Sequence, residues 1–89
     1  MYYVYILISL KDHNLYTGFT RDLKTRLKNH NDGKSLSTKG RLPTKLIYCE
    51  MYCNKKDAEN REKFLKSGRG REVIHKQLNN TLKSYNKLK

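Results

Sequence analysis

Three ionisable residues of this 89-residue chain lie beside apolar residues at helical spacing. Arg26 and His30 are four positions apart and fall on either side of the apolar stripe of their segment. Glu62 lies on nearly the same face as the apolar stripe of a later segment. A charged group drawn toward an apolar stripe costs free energy unless it is paired or put to use. The three side chains are therefore candidates for a site that handles charge.

A structural interpretation of the same residues stays open. Glu62 can pair with Lys66 one turn later, for about 0.3–0.5 kcal/mol. Arg26 can lay its aliphatic stem on the core and keep its head in water. Helical spacing does not decide between these interpretations and a site. A neighbouring hairpin face that carries tyrosines favours a site.

The elements that must position these residues can be predicted from composition and period. Residues 2–9 and 15–19 are β-branched and aromatic, which predicts two strands joined by the polar turn 11–14. Side chains alternate along the first strand, with Val4, Ile6 and Ile8 on one face and Tyr3 and Tyr5 on the other. A helix follows over residues 21–30, capped by Thr20 with Asp22 in its first turn.

The second half of the chain predicts one more strand and two helices. A basic loop at 34–44 precedes a strand at 46–53. Asn54 then caps a helix that ends near Ser67, and a shorter helix covers residues 71–78. The predicted fold class is α+β, a three-stranded antiparallel sheet flanked by helices in the order ββαβαα. Residues 1–80 are predicted to form a single domain, and residues 81–89 a polar basic tail.

The charge of the chain indicates its partner. Twenty Lys and Arg residues against eight Asp and Glu residues leave a formal net charge of +12. Nucleic acid suits such a surface, because neutralising phosphates releases counterions. An anionic membrane is the main competitor, but no basic helix has a broad apolar face and no apolar run approaches a membrane span. Basic residues that only aid solubility are the simplest alternative.

Cysteine usage indicates the compartment. Cys49 and Cys53, four residues apart on a strand, are too distant for a disulfide and have no partners at metal-ligand spacing. We expect two reduced, buried thiols in a cytoplasmic protein. The N-terminal segment lacks the features of a signal peptide, which agrees with that compartment.

Two short motifs and two later residues carry a family resemblance. The order along the chain is Tyr3-Val4-Tyr5, then Tyr16-Thr17-Gly18, then Arg26 ten residues after the second motif's tyrosine, then Glu62. This joint pattern, within residues 2–75, closely resembles the GIY-YIG nuclease superfamily. The chain is most similar to the short, stand-alone bacterial branch of that superfamily. It is also similar to the N-terminal nuclease domain of the excision-repair endonuclease.

The resemblance implies a metal-dependent phosphodiesterase. By position, Tyr5 matches the tyrosine that helps to activate the attacking water, and Tyr16 matches the tyrosine that organises water and phosphate. Gly18 matches a glycine that lets strand and substrate approach closely. Arg26 matches the arginine that stabilises charge on the phosphate. His30 lies where relatives carry a tyrosine or a histidine.

The resemblance also implies that Glu62 binds the divalent metal. One carboxylate with several waters suits Mg²⁺ or Mn²⁺. A guanidinium and a divalent cation can absorb the negative charge that phosphodiester hydrolysis places on the phosphoryl oxygens. The other acidic residues fit turns, helix starts, a strand or a face away from the stripe; they are Asp12, Asp22, Asp32, Glu50, Asp57, Glu59 and Glu72.

Basic residues of the loop and helices are predicted to hold the nucleic-acid backbone. They are Lys24, Lys28, Lys34, Lys39, Arg41, Lys45, Lys66, Arg69 and Arg71. As a set they predict a steep salt dependence with weak base specificity. The sequence departs from the family pattern at Tyr3, in place of a glycine, and at Phe19, where repair relatives carry a lysine.

The leading hypothesis is a DNA endonuclease, directed by structure, in repair or recombination. RNA is a second candidate substrate. An alternative is a non-catalytic nucleic-acid-binding module with the same fold, and a third hypothesis is a small adaptor for a larger protein.

Overall fold

Three strands form one antiparallel sheet in the computed structural model, which describes residues 1–35 and 38–86. The strands are β1 (Tyr2–Ser9), β2 (Leu15–Thr20) and β3 (Thr44–Tyr52). Their order in the sheet is β2-β1-β3, with both pairings antiparallel. The α+β prediction and the three-stranded sheet are confirmed.

Helices follow the strands in the predicted order. They are α1 (Leu23–Asn31), α2 (Lys55–Lys66), α3 (Gly68–Gln77) and α4 (Asn79–Asn86). A single 3-10 turn at Lys39–Arg41 lies between α1 and β3. The order ββαβαα is confirmed, with α4 as a further short helix.

The central strand β1 is covered on both faces. Val4 and Ile6 belong to the main core, together with Ala58 and Leu65 of α2 and Ile74 of α3. On the opposite face, α1 places a buried histidine against Tyr5. Every residue from position 4 to position 9 is buried, because the strand is paired on both edges and packed on both faces.

Helix α1 begins at Leu23, two residues later than predicted. The carboxylate of Asp22 accepts hydrogen bonds from the backbone N–H and the hydroxyl of Thr25, at 3.2 and 2.7 Å. Asp22 is therefore the N-cap, and the assignment of that role to Thr20 was wrong. The Thr20 hydroxyl instead accepts from the Asp22 N–H at 3.1 Å. After α1, Gly33 adopts a φ of 75°, a conformation that side chains disfavour.

Capping residues also explain where helices α2 and α3 begin. The predicted cap Asn54 accepts from the N–H groups that open α2. Ser67 ends α2 and caps α3 by accepting from the N–H of Gly70, so α3 begins at Gly68 and not at the predicted residue 71. Helix α4 contains residues 79–86, so the first part of the predicted tail is helical, and Leu82 packs against the core. Residues 87–89 lie outside the described part.

The cysteines only partly match their prediction. Both thiols are free, but Cys49 is half-buried and Cys53 is exposed. The expectation of two buried thiols was wrong for Cys53, because β3 ends at residue 52 and the next residue already lies in the exposed connection to α2. Among the described helices, none is both long enough and apolar enough to cross a bilayer.

Candidate active site

A cavity of about 700 Å³ runs along β2 and gathers residues from five elements. Besides β1 and β2, the helices α1, α2 and α3 each contribute lining residues. All six residues that the family resemblance singles out line it: Tyr5, Tyr16, Gly18, Arg26, His30 and Glu62. Two phenols, a guanidinium, an imidazole and a carboxylate from four separate elements thus share one cavity.

Tyr5 is the most enclosed of these residues, with 1% of its surface exposed. Its register on β1 places it directly opposite Gly18 of β2. A Cβ atom at Gly18 would overlap the hydroxyl and ring of Tyr5. The glycine is therefore required by the close approach of the tyrosine, and this contact explains the residue type without any substrate.

The Tyr5 hydroxyl lies between a guanidinium and an imidazole. Arg26 donates from Nε to the Tyr5 oxygen at 3.2 Å. The Nε2 atom of His30 lies 3.0 Å from the same oxygen. Since Arg26 can only donate, we assign the phenolic proton to a hydrogen bond toward His30.

His30 is buried at 3% exposure and is held from its other side by Thr38. Its Nδ1 atom lies 2.7 Å from the hydroxyl oxygen of Thr38, to which the assigned tautomer donates. Burial, and after it the positive charge of Arg26, lowers the pKa of His30 below its ordinary value of 6.5. The imidazole is therefore neutral at pH 7, with Nε2 available to accept a proton.

Tyr16 is held by a different cation. Arg41, in the 3-10 turn, donates from Nε to the Tyr16 hydroxyl at 3.2 Å. The same Nε lies 2.9 Å from a carboxylate oxygen of Asp12, in the turn between β1 and β2. The Tyr16 hydroxyl is also a hydrogen-bond partner of the Asp12 carboxylate, so Tyr16, Arg41 and Asp12 form one cluster.

Glu62 faces the cavity from α2, with 23% of its side chain exposed. Its carboxylate forms an ion pair with Lys66 at 3.1 Å. Within residues 1–35 and 38–86, no hydrogen bond joins Glu62 to either tyrosine or to Arg26. The Glu62–Lys66 pair of the structural interpretation is therefore present, and Glu62 lines the cavity as well.

The donor set around Glu62 fits a hydrated divalent cation. A carboxylate on the wall of a wide cavity offers the oxygen ligand that Mg²⁺ and Mn²⁺ prefer. In the described part of the chain, no three His, Cys, Asp or Glu residues gather into a metal-ligating group. A cation at Glu62 would therefore keep most of its ligands as water or substrate oxygens, and it would compete with the Lys66 ammonium.

A second carboxylate, Glu50, is not available as a metal ligand because other side chains already occupy its oxygens. It lies on β3 and accepts from Arg61 of α2 in a two-pronged pair, at 2.9 and 3.0 Å. Tyr48 and Tyr52 also donate to it, at 2.5 and 2.7 Å. Burial opposes its ionisation, but these hydrogen bonds outweigh burial and lower the pKa of Glu50. Sequence reasoning treated Glu50 as a plain strand residue and missed this cluster.

The predicted nucleic-acid-binding residues fall into three groups. Lys66 and Arg71 line the cavity. Arg41 is engaged with Asp12 and Tyr16. The remaining six are exposed: Lys24, Lys28, Lys34, Lys39, Lys45 and Arg69.

Sequence reasoning missed several residues that line or support the cavity. Thr38 and Asp12 read only as loop and turn residues, since a loop has no period that would mark a buried side chain. His13 and His75 also line the cavity, and the Nδ1 atom of His13 is buried without a hydrogen-bond partner among the described residues. The left-handed φ of 61° at His13 was not signalled by its residue type alone.

Comparison with known proteins decides the family. The model of the GIY-YIG catalytic domain matches residues 1–86. The chain belongs to the GIY-YIG family. The resemblance drawn from the tyrosine motifs is confirmed, and the domain is therefore of a nuclease family whose substrates are nucleic acids.

Relatives of this GIY-YIG domain come from the short bacterial branch. A UPF0213 protein of Clostridium perfringens is 49% identical over 67 residues, which cover 74% of this chain and 71% of the relative. A UPF0213 protein of Staphylococcus haemolyticus is 43% identical over 67 residues, covering 74% of this chain and 80% of the relative. The solution NMR structure of a UPF0213 protein from Bacillus halodurans is 37% identical, with a TM-score of 0.54 over 86% of this chain and 85% of that one.

Proposed function

We propose that this GIY-YIG domain is an endonuclease that hydrolyses phosphodiester bonds in DNA with one divalent cation, Mg²⁺ or Mn²⁺, held by Glu62. The observation that supports this proposal is the shared cavity of Tyr5, Tyr16, Arg26 and Glu62. Each side chain comes from a different element, so local sequence does not force them together. Their chemistry matches what phosphodiester hydrolysis requires: a proton acceptor, a cationic donor and a ligand for a metal ion.

Tyr5 and His30 form the proton-accepting part of the site. The Tyr5 hydroxyl donates to Nε2 of His30, so its proton can pass to a neutral imidazole as the phenol oxygen takes a proton from the attacking water. Arg26 donates to the same oxygen and stabilises the charge that develops there. Thr38 accepts from the other imidazole nitrogen and holds the ring in the tautomer that this transfer needs.

Arg26, Tyr16 and Glu62 act on the phosphate. Arg26 uses only Nε for Tyr5, which leaves its terminal N–H groups to bind phosphoryl oxygens. The Tyr16 hydroxyl lines the cavity, where it can donate to water or to a phosphate oxygen. A divalent cation bound by Glu62 would supply Lewis-acid stabilisation of the phosphoryl charge.

Cleavage assays of matched variants test the proposal. Purified protein is incubated with plasmid, flap and junction DNA, in Mg²⁺ or Mn²⁺ and in a chelator. We expect nicking only with metal, and a loss on the order of 10² to 10³-fold in Glu62→Gln and Arg26→Ala. Glu59→Gln removes a charge from the same helix away from the cavity and should retain full activity. The proposal fails if every DNA structure stays intact with both metals.

A non-catalytic binding module is the second candidate, and the Glu62–Lys66 ion pair favours it. In such a module the carboxylate serves the helix and needs no metal. This candidate expects DNA binding that Glu62→Gln barely changes and no cleavage under any condition. An RNA panel run beside the DNA panel identifies the substrate class.

A further inference from the structure

Arg41 was grouped with the phosphate-binding residues, but the structure gives its guanidinium other partners. Its Nε–H is shared between the Tyr16 hydroxyl at 3.2 Å and the Asp12 carboxylate at 2.9 Å. We propose that Arg41 is a positioning residue that holds the Tyr16 hydroxyl in place, and that it does not bind the nucleic-acid backbone. This inference rests on the proposed function of Tyr16.

The backbone of the 3-10 turn is anchored independently of the Arg41 side chain. The Ser9 hydroxyl donates to the Arg41 carbonyl at 2.6 Å, and Lys11 donates to the Gly40 carbonyl at 3.3 Å. The Leu10 N–H donates to the Pro43 carbonyl at 2.8 Å. Residues at the end of β1 therefore hold the backbone from which the Arg41 side chain extends. Replacing that side chain leaves these backbone hydrogen bonds intact.

Asp12 explains why this arginine is a poor phosphate ligand. Its carboxylate offsets the guanidinium charge, so a phosphate would have to compete with a carboxylate that the turn already holds. Lys39 in the same turn forms no ion pair with the described residues and is exposed. Two basic residues two positions apart thus have different surroundings and different expected roles.

Residues 38–41 are connected to both Tyr5 and Tyr16. At its start, Thr38 contacts His30, which contacts Tyr5. At its end, Arg41 contacts Tyr16. Residues 38–41 therefore link the surroundings of both phenols, which gives the segment a role in their relative placement. Both contacts of Arg41 use Nε, so a phosphate on its terminal N–H groups would lie close to the Asp12 carboxylate, which repels it.

DNA binding tests the inference without requiring catalysis. Arg41→Met and Arg71→Met are each placed in the Glu62→Gln background, and binding of a labelled duplex is measured in chelator across salt concentrations. Loss of one phosphate contact lowers the slope of log K against log salt by about 0.9. We expect that reduction for Arg71→Met, which lines the cavity, and an unchanged slope for Arg41→Met. A reduction at Arg41 equal to that at Arg71 would overturn the inference.

Cleavage kinetics provide the second arm. Arg41→Met should lower kcat by up to about 10²-fold with KM unchanged, since misplacing a reacting group affects the chemical step. Combined with Tyr16→Phe, it should cost no more than Tyr16→Phe alone, whereas multiplied losses would contradict action through Tyr16. If the wild-type protein cuts nothing, the proposed function fails, and the binding slopes still decide whether Arg41 contacts phosphate.

Discussion

Tyr5 shows how packing and chemistry converge on a single residue. Its ring is buried between β2 and α1, and its hydroxyl is bracketed by Arg26 and His30. The space for that hydroxyl exists because Gly18 has no side chain. A buried phenol with a cation on one side and a neutral imidazole on the other is well placed to exchange a proton. The same close packing leaves no space for a larger side chain at Gly18.

Gly18→Ala tests this packing at the residue scale. The added Cβ would overlap the Tyr5 hydroxyl and ring, so either the strand pair or the tyrosine must shift. We expect a loss of about 1–3 kcal/mol in the free energy of unfolding, measured by urea denaturation. Gly40→Ala is the matched control, since a Cβ there meets nothing within 4 Å. Equal stability of the two variants would show that Tyr5 is not confined by Gly18.

At the scale of elements, the setting of α2 on the sheet decides where Glu62 faces. Arg61 and Glu62 are neighbours on that helix, but their side chains lie in different places. Arg61 reaches Glu50 on β3, while Glu62 lines the cavity beside β2. Because consecutive helical residues point about 100° apart, the clamp between Arg61 and Glu50 restrains the rotation that aims Glu62.

Arg61→Met should release that clamp. The half-buried Glu50 carboxylate then loses its cationic partner, and we expect the free energy of unfolding to fall by about 1–3 kcal/mol. The folded-state pKa of Glu50 is lowered from 4.5, so its stabilisation is present above that pH and is lost as pH falls through the folded value. The difference between wild type and variant should therefore shrink in acid.

Urea titrations from pH 7 to pH 3 measure this effect. Lys63→Met, an exposed charge loss on the same helix, is the control and should be nearly neutral at every pH. A pH-independent difference for Arg61→Met would mean that the pair contributes through packing and not through the carboxylate charge.

At the scale of the whole molecule, the net charge of +12 dominates encounter with a polyanion. Six of the predicted backbone-binding residues are exposed, and two more lie at the cavity. With Arg41 engaged elsewhere, the phosphate contacts are expected from the helices, the loop around it and the cavity rim.

Salt titration of DNA binding tests that distribution. If six to eight phosphates are contacted, affinity should fall on the order of 10³- to 10⁴-fold between 50 and 200 mM salt. Replacing both Lys24 and Lys28 by Gln should lower the slope of log K against log salt by about 1.8, at about 0.9 per contact. A DNA affinity that does not change with salt concentration would instead favour an adaptor whose charge serves solubility.

Most elements of the fold could be predicted, because strands and helices leave their periods in the sequence. The alternation in β1 predicted that Val4 and Ile6 share one face, and both belong to the main core; Asn54 marked the start of α2. The cap of α1 was misplaced by two residues because Thr20 and Asp22 are both good capping types and only their geometry separates them. Helix α4 was missed because its sequence is mostly polar and has no clear apolar stripe. Only the structure shows that Leu82 packs against the core.

The sequence by itself determined the family, the order of elements and six residues that line the cavity, since motifs and periods are local properties that the chain carries in any conformation. Only the tertiary structure decided the partners: Thr38 on His30, Arg41 on Tyr16 and Arg61 on Glu50. These pairs join residues 8 to 25 positions apart across loops and strand register. Such contacts depend on how packed elements meet, and no local pattern records that.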